Sequence, residues 1–335
     1  MSRRLGLVIV AFAVAAAIGA PAVAPHGITD HFGLLLNAPP TLPRLVDDQG
    51  SLHAPFIYPW RRLSQLEQRY EEDRSVRIPL AWFSGGHLVR SSNETAAPLL
   101  LLGADSFGRD VFARLAFGAR LSLGLAITAA LGAMLLGAIF GTIAGYYGGT
   151  LDDLLMRTTD FVMVLPAMYV ALALRSVLPL VLTATQVFGL LAAIFAVVGA
   201  PFIARGVRAI VRSEKQLEYA AAAQALGASD LRLLARHLLP AARGFLAVQM
   251  TLLVPAFIVA EATLSYVGLG FPAQLASWGT MLHDASTNIR VFADFPWLLS
   301  PAAAMFLVVL GLNLVLQDSR SPADTRRGAN ASLLG

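Results

Sequence analysis

Six stretches of this sequence are apolar over about 20 residues, the length that a helix needs to cross the hydrocarbon core of a bilayer. They lie at Leu5–Ala24, Leu121–Ala144, Thr158–Leu174, Val187–Ile203, Phe245–Gly270 and Trp297–Leu316. Only 14% of the 335 residues are charged and 56% are hydrophobic, whereas about 25% of the residues in a soluble domain are charged. The sequence therefore predicts an all-α membrane protein with six transmembrane helices. In the second of these, Gly137 and Gly141 form a small-xxx-small pair, which favours close packing against another helix.

The first stretch allows two interpretations. It follows Arg3 and Arg4 and ends in Ala22-Val23-Ala24, a tripeptide typical of the cleavage site of a signal peptide. We favour an uncleaved span, because five spans would leave the two arginine-flanked ends of the chain on opposite sides of the membrane. Residues 1–24 are then the first transmembrane helix.

Residues 25–115 differ in composition from the rest of the chain and are predicted to lie outside the membrane. They hold much of the proline and a strongly charged run at residues 67–74. Their aromatic residues include Trp60, Trp82 and Phe83. We expect this segment to be partly helical near residues 61–74 and to form either a small folded cap or an extended arm.

Lysine and arginine in short loops mark the cytoplasmic side of a membrane protein. Both ends of the loop 205–244 are rich in them, so we place this loop in the cytoplasm. They are Arg205, Arg208, Arg212, Lys215, Arg232, Arg236 and Arg243. Counting spans from this loop puts both chain termini in the cytoplasm and residues 25–115 outside. The transmembrane core is then residues 116–320, and residues 321–335 form a cytoplasmic tail. A cytoplasmic C-terminus is also favoured by Arg320, Arg326 and Arg327.

Several classes of function do not fit this sequence. The net charge is +4, but the positive-inside bias explains the cations without nucleic-acid binding. There are no cysteines, and the six histidines show no metal-ligand spacing. The P-loop, HExxH and GxSxG motifs are absent. We therefore expect neither an enzyme nor a cofactor or metal site in this chain.

The loop 205–244 contains the pattern of a helical hairpin. Residues 214–226 are good helix formers without Gly or Pro, Gly227 stands where a helix ends in the left-handed conformation, and Ser229 takes the N-cap position of a second helix. Pro240 is expected to end that helix. Its apolar face is predicted at Leu231, Leu234, Ala235 and Leu238. Such a helix lies on lipid, fills a groove in a partner protein, or is a surface helix that has no function.

The hairpin resembles the cytoplasmic coupling loop of ABC-importer permeases, which reads Glu-Ala-Ala, three residues, Gly, and about a dozen residues to Leu-Pro. This chain has Ala221-Ala222-Ala223, three residues, Gly227, and then Leu239-Pro240. It departs from the motif at Ala221, which replaces the Glu, and Glu218 one turn earlier is the nearest carboxylate. The resemblance implies that an ATPase binds here, through Glu218, Ala221, Ala222, Gly227, His237, Leu239 and Pro240.

Further stretches are similar to the dipeptide/oligopeptide/nickel branch of these permeases. They are Leu102–Arg114 with Gly118–Leu123, Glu261–Gly270, Ser277–Gly279, and Pro296-Trp297. With the hairpin they cover about residues 100–320 in the order of the family. Residues 25–100 are longer than the family pattern and indicate no substrate.

The resemblance implies a permease subunit of the bacterial cytoplasmic (inner) membrane that forms half of a translocation path. Its partners would be a second homologous permease, two ATP-binding subunits that hydrolyse the ATP, and an extracytoplasmic substrate-binding protein. Di- and oligopeptides are the implied substrates, and nickel or another small solute is the alternative. Two other classes remain, an ion-coupled secondary transporter and a membrane-embedded hydrolase, although we find neither paired intramembrane charges nor a catalytic pair.

Two carboxylates lie within or near predicted spans, where a charge at the bilayer centre costs several kcal/mol. One interpretation is that Asp160 and Glu261 lie at the pore or at a helix contact that shifts during the transport cycle. The other is that each has a structural role near a span end, where its side chain reaches interfacial water. For Asp160 we favour an ion pair with Arg157 at the cytoplasmic end of the span. Glu261 allows both interpretations equally.

A charged cluster precedes the second span. Asp105, Arg109 and Asp110 would steady an outer gate or contact a binding protein. The alternative, which we favour, is that Asp105 caps a short interfacial helix whose Arg109 and Arg114 meet lipid headgroups.

Overall fold

The computed structural model describes residues 2–166, 169, 170, 173, 183–287 and 289–317. Helix α1 (Ser2–Val23) precedes six strands: β1 (Arg44–Val46), β2 (Leu52–Ile57), β3 (Trp60–Ser64), β4 (Arg69–Glu72), β5 (Ile78–Ser84) and β6 (His87–Ser91). The next elements are α2 (Val111–Tyr147), α3 (Gly149–Val164), α4 (Ala184–Glu214), α5 (Glu218–Ala225), α6 (Asp230–Leu233), a π-helical turn (Leu234–Leu238) and α7 (Leu239–Ala241). The last are α8 (Arg243–Tyr266), α9 (Trp278–Ser286), a 3-10 turn (Pro296–Leu299) and α10 (Ser300–Gln317).

The chain divides into two compact units. Residues 124–261 form the main part of one, which we call the hairpin unit. Residues 4–123 and 262–311 form the other, the insert unit.

Five of the described helices are long and apolar enough to cross a membrane. They are Arg3–Val23, Val111–Tyr147, Ala184–Glu214, Arg243–Tyr266 and Pro296–Val315. Each overlaps one predicted span. The sixth predicted span, Thr158–Leu174, begins inside α3, and most of its second half lies outside the described residues, as does the predicted tail at 321–335.

Within the hairpin unit, α2 and α4 pack closely along a row of glycines. A Cβ atom at Gly137 would lie only 2.6 Å from the Cβ of Ile203 and 2.8 Å from the carbonyl oxygen of Ala200. At Gly141 a Cβ would meet the Ala204 carbonyl in the same way. The predicted close packing through this glycine pair is confirmed, and it explains why larger residues are excluded from both positions.

In the insert unit, the strands form a folded structure rather than an extended arm. Strands β1, β2, β5 and β6 make one antiparallel sheet in that order, and β3 pairs with β4 in a separate hairpin. One small core consists of Ile57, Ile78, Ala97 and Leu99. A second consists of Leu35, Ala38, Leu100 and Ala104, with Trp60 and Tyr70 packed against it. The predicted all-α fold class is therefore only partly right, because a β insert interrupts a mostly helical chain.

The predicted helix near residues 61–74 is wrong, because this region forms β3 and β4. The ring N–H of Trp60 donates to Oγ1 of Thr41 at 3.2 Å, and the hydroxyl of Tyr70 donates to the carbonyl of Leu36 at 2.7 Å. Both aromatic residues also pack on an apolar core. Contacts of this kind on a pleated surface outweigh the helix propensity of the surrounding Arg, Gln and Glu residues.

Candidate coupling site

The predicted turn of the hairpin (residues 214–240) is confirmed, but its first helix is shorter than expected. Gly227 has φ +82°, the left-handed conformation that suits glycine. The N–H of Ala228 donates back to the Ala223 carbonyl at 3.0 Å, as in a Schellman ending. The predicted single helix over 214–226 is wrong, because α4 ends at Glu214 and α5 begins at Glu218.

The second half of the hairpin continues past Pro240 rather than ending there. Leu239–Ala241 is helical, and the preceding turn, Leu234–Leu238, is a π-helix in which the Leu239 N–H donates to the Leu234 carbonyl. This wider turn accommodates a proline, which has no N–H to donate and whose ring would clash in a regular α-helix. Ser229 occupies the predicted N-cap position, although its side chain makes no capping hydrogen bond.

The π turn also changes which leucines are buried. Leu233 and Leu238, five residues apart, are fully buried, as the five-residue hydrogen-bond spacing of a π turn brings such positions together. The predicted apolar face is therefore wrong for Leu231, which is 77% exposed, and for the exposed Ala235. Leu234 is half-buried.

An exposed apolar surface covers the turn and the first helix of the hairpin. Leu226 beside the turn is 89% exposed, and Leu217, Tyr219 and Leu231 are also exposed. The side chains of Ala221 and Ala222 are exposed on α5, where a small side chain leaves the helix backbone open to close approach. We call the set formed by Leu217, Tyr219, Ala221, Ala222, Leu226 and Leu231 the docking surface. Large apolar side chains that are exposed together on one short segment are a feature of interaction sites.

The polar members of the predicted site lie beside the docking surface. Glu218 is exposed in the first turn of α5, where the helix dipole favours a carboxylate, and it lies about one turn before Ala221 and Ala222 on the same helix. The exposed ring of His237 lies 6.3 Å from the ring of Tyr219. Partial desolvation of its hydroxyl and a hydrogen bond to Glu214 at 2.7 Å raise the pKa of Tyr219 to about 12, so this hydroxyl stays neutral. Leu239 and Pro240 are half-buried.

Tyr146, near the end of α2, holds the hairpin at three points. Its hydroxyl donates to Oδ1 of Asp230 at 2.5 Å and accepts from Nε2 of Gln224 at 3.3 Å. Its carbonyl accepts from Nζ of Lys215 at 2.6 Å, and the same ammonium lies 4.5 Å from the centre of the Tyr146 ring. Sequence analysis missed this residue, because nothing in the local pattern links the end of an apolar span to a hairpin more than 60 residues away. These contacts join the hairpin directly to α2.

Ion pairs join α3 to α4 close to the start of the hairpin. The guanidinium of Arg208 donates to both carboxylate oxygens of Asp152 at 2.5 Å, and Arg205 pairs with Asp160. The expected pair of Asp160 with Arg157 is therefore wrong. A partner on a neighbouring antiparallel helix meets the carboxylate instead, and i, i+3 spacing within one helix does not reveal such a partner.

Glu261 is fully buried in α8. A carboxylate with no exposure is far costlier than one at a span end unless its charge is compensated. Its position thus excludes the interpretation in which the side chain simply reaches interfacial water.

The charged cluster before α2 is an internal network of the insert unit. Arg109 donates to Asp105 and to Asp284, both at 2.7 Å. Arg114 is almost fully buried, with its guanidinium 3.4 Å from Asp284. The expectation that Arg109 and Arg114 meet lipid headgroups is wrong, because both side chains are paired with aspartates inside the unit.

The helix cap was also assigned to the wrong aspartate. Oδ1 of Asp110 accepts from the N–H groups of Phe112 and Ala113 at 2.9 and 3.3 Å, so Asp110 caps α2. Asp105 instead accepts from the N–H groups of Phe107 and Arg109 and closes a turn.

Comparison with known proteins gives one family for this chain. Residues 137–317 match the family described as "Binding-protein-dependent transport system inner membrane component". The chain is 41% identical over 226 residues to the oligopeptide transport system permease protein OppC of Bacillus subtilis, covering 66% of this chain and 70% of the relative. It is 37% identical to the dipeptide transport system permease protein DppC of Alkalihalophilus pseudofirmus, covering 74% and 81%. It is 34% identical to the glutathione transport system permease protein GsiD of Pectobacterium atrosepticum, covering 69% and 75%.

Proposed function

Because this chain belongs to the family of binding-protein-dependent transport system inner membrane components, we propose that it is a permease subunit of an ATP-driven importer and forms half of a translocation path for peptides. Relatives named for oligopeptides, dipeptides and glutathione support peptides as the substrate class. Members of this family are transport-system components rather than enzymes. This membership favours ATP-driven transport over an ion-coupled transporter or a hydrolase.

The observation that carries the coupling role is the docking surface together with its attachment to α2. Leu226 and Leu231 present apolar side chains that the chain itself leaves uncovered. Burial of such side chains by a partner is favourable by about 25 cal/mol per Å². Tyr146 connects the hairpin to a helix long enough to cross the membrane. An ATPase subunit that closes on the hairpin would therefore move α2 with it.

The arrangement in the membrane follows from the same proposal. Six spans place both termini in the cytoplasm, residues 25–115 outside, the core at residues 116–320 and the tail at residues 321–335. The partners are a second homologous permease, two ATP-binding subunits and an extracytoplasmic substrate-binding protein. Arg205, Arg208 and Arg212 near the end of α4 support a cytoplasmic hairpin.

Two carboxylates are candidates for a role in gating. The pair of Asp160 with Arg205 bridges α3 and α4, so a relative shift of these helices would break or form it. The complete burial of Glu261 makes it the stronger candidate. Glu261→Gln is expected to lower transport more than protein level. Equal loss of both would assign it a structural role.

The proposed function is tested by transport in proteoliposomes that contain this chain with its permease partner, ATPases and binding protein. We expect ATP-dependent uptake of labelled di- and oligopeptides and no uptake of labelled nickel. Uptake of nickel without peptide would overturn the substrate class. Uptake driven by a proton or sodium gradient without ATP would overturn the transporter class.

A further inference from the structure

The tip of the β5–β6 hairpin, residues 82–87, carries large apolar side chains outside the cores of the insert. Trp82 is 53% exposed and Phe83 is 80% exposed. Successive residues of a regular strand point to opposite faces, but Phe83 has φ +52°, a conformation that bulky residues rarely adopt. Gly85 and Gly86, both with positive φ, close the hairpin with the two-residue loop typical of a type I′ turn. The tip is thus a tight turn with two exposed aromatic side chains beside it.

A hydrogen bond fixes this tip against the end of α1. Nδ1 of His87 donates to the carbonyl oxygen of Ala24 at 2.6 Å, and Ala24 directly follows α1. Ser84 pairs with His87 across the hairpin. The two exposed aromatic residues therefore lie within two residues of Ser84, the strand partner of the histidine that contacts the helix end.

The length of α1 locates that helix end relative to a bilayer. The span Arg3–Val23 has 21 residues, which is about 30 Å of α-helix and equals the thickness of the hydrocarbon core, about 30 Å. Ala24 then lies at the boundary between hydrocarbon and headgroups. Val8, Phe12 and Ile18 are exposed along α1, so an apolar exposed surface runs along the helix and reaches its end, where the tip is attached.

We infer that the tip binds the lipid surface, with Trp82 and Phe83 inserted in the interfacial region of the leaflet at the C-terminal end of α1. Tryptophan is favoured at this depth because its ring is largely apolar and its N–H is polar. Burial of apolar side chains at the headgroup boundary is the general basis of interfacial binding. The inference goes beyond peptide transport and requires only that α1 crosses the bilayer, in either direction.

Another turn of the insert, between β1 and β2, is chemically different and supplies a control. The β1–β2 turn contains Gln49, exposed beside Asp47, which accepts from the Gln49 N–H at 3.0 Å. Asp47 also pairs with Arg77 at 2.7 Å and with His53 at 2.9 Å. A turn surrounded by these charges is expected to remain in water.

The absence of cysteine from the chain allows a direct test by spin labelling in lipid nanodiscs. Ser84→Cys places a nitroxide at the tip and keeps both aromatic residues, and Gln49→Cys is the matched control. We expect the ratio of collisions with oxygen to collisions with a water-soluble nickel chelate to be severalfold higher at position 84 than at position 49. Adding Phe83→Ser to Ser84→Cys should lower this ratio toward the control value.

Two results would overturn the inference. One is an equal ratio for the two labels in nanodiscs, with the label at position 84 fully accessible to the nickel chelate. The other is a label at position 84 that is water-exposed in nanodiscs and becomes protected only when the substrate-binding protein is added. That second result would make the tip a protein contact instead.

Discussion

The hairpin at residues 214–240 and the β insert at residues 44–91 both expose large apolar side chains, but they are stabilised differently. The insert packs on two small cores of its own unit. The hairpin buries little, chiefly Ala220, Leu233 and Leu238, and is held by the polar contacts of Tyr146. A segment that is kept in place by a few directed bonds, with its apolar side chains left outside, is suited to transmit a partner's motion.

The largest effect is expected from the turn of the hairpin. Gly227 has φ +82°, whereas proline is fixed near −65°, so Gly227→Pro should abolish ATP-dependent peptide uptake while the protein still inserts in the membrane. The matched control is Gly50→Pro in the β1–β2 turn of the insert, where φ is +80°. It should disturb the insert locally and leave most of the uptake. Equal loss of uptake in both variants would remove the functional distinction between the two regions.

The attachment of the hairpin should come next. Tyr146→Phe removes the hydroxyl that bonds Asp230 and Gln224 but keeps the ring beneath Lys215. A hydrogen bond to a charged group contributes about 1.5–3 kcal/mol, so we expect uptake to fall by about tenfold at constant protein level. Tyr147→Phe, on the exposed neighbouring residue, should have no such effect. Normal uptake in Tyr146→Phe would mean that motion reaches α2 by another route.

A smaller effect is expected for the carboxylate next to the docking surface. Glu218 is exposed, and an exposed ion pair contributes about 0.2–1 kcal/mol, so Glu218→Gln should weaken ATPase binding by up to about fivefold, most clearly at low salt. Titration of ATPase against the purified permease measures this. Unchanged affinity at low salt would show that Glu218 does not replace the carboxylate missing at Ala221.

The smallest effect on ATPase binding is expected from a change within the insert. Trp60 packs on one of the insert's cores and donates a hydrogen bond to Thr41. Trp60→Ala should therefore lower the free energy of unfolding of the insert by no more than about 5 kcal/mol. Faster cleavage within residues 44–91 by limited proteolysis would report this, with unchanged retention of the ATPases. Loss of the ATPases would contradict the independent stabilisation of the two regions.

The long helices and the hairpin show what can be predicted from sequence. A long apolar run predicts a long apolar helix directly, and a glycine that needs a positive φ marks a turn by itself. The helices α1, α2, α4, α8 and α10 and the Gly227 turn are therefore predicted correctly. Of the docking surface, Ala221 and Ala222 belong to the motif around Gly227, whereas the exposed Leu217, Tyr219 and Leu226 were not predicted. The attachment of the hairpin through Tyr146 was not predicted either, because the contact joins residues distant in sequence.

The errors have two physical origins, tertiary contacts and a local change of helix geometry. The segment with helix-forming Gln and Glu residues became β3 and β4 because Trp60 and Tyr70 pack on a distant core. Asp160 met Arg205 rather than Arg157 because a second helix lies beside it. The π turn before Pro240 coincides with burial of Leu233 and Leu238 and exposure of Leu231. In the first two cases a tertiary contact outweighed a local rule, and in the third a wider helical turn changed the spacing itself.

The most direct test of the coupling role compares one exposed leucine from each region. Leu226 in the hairpin is 89% exposed and Leu66 in the β3–β4 turn is 94% exposed, so replacement by Glu should be equally tolerable for folding. Each variant is purified in detergent with the ATPase subunits, and the ATPase retained per permease is measured. We predict that wild type and Leu66→Glu retain the ATPases and that Leu226→Glu loses them. Retention by Leu226→Glu equal to that of Leu66→Glu, or no retention by wild type, would contradict the assignment of the hairpin as the coupling site.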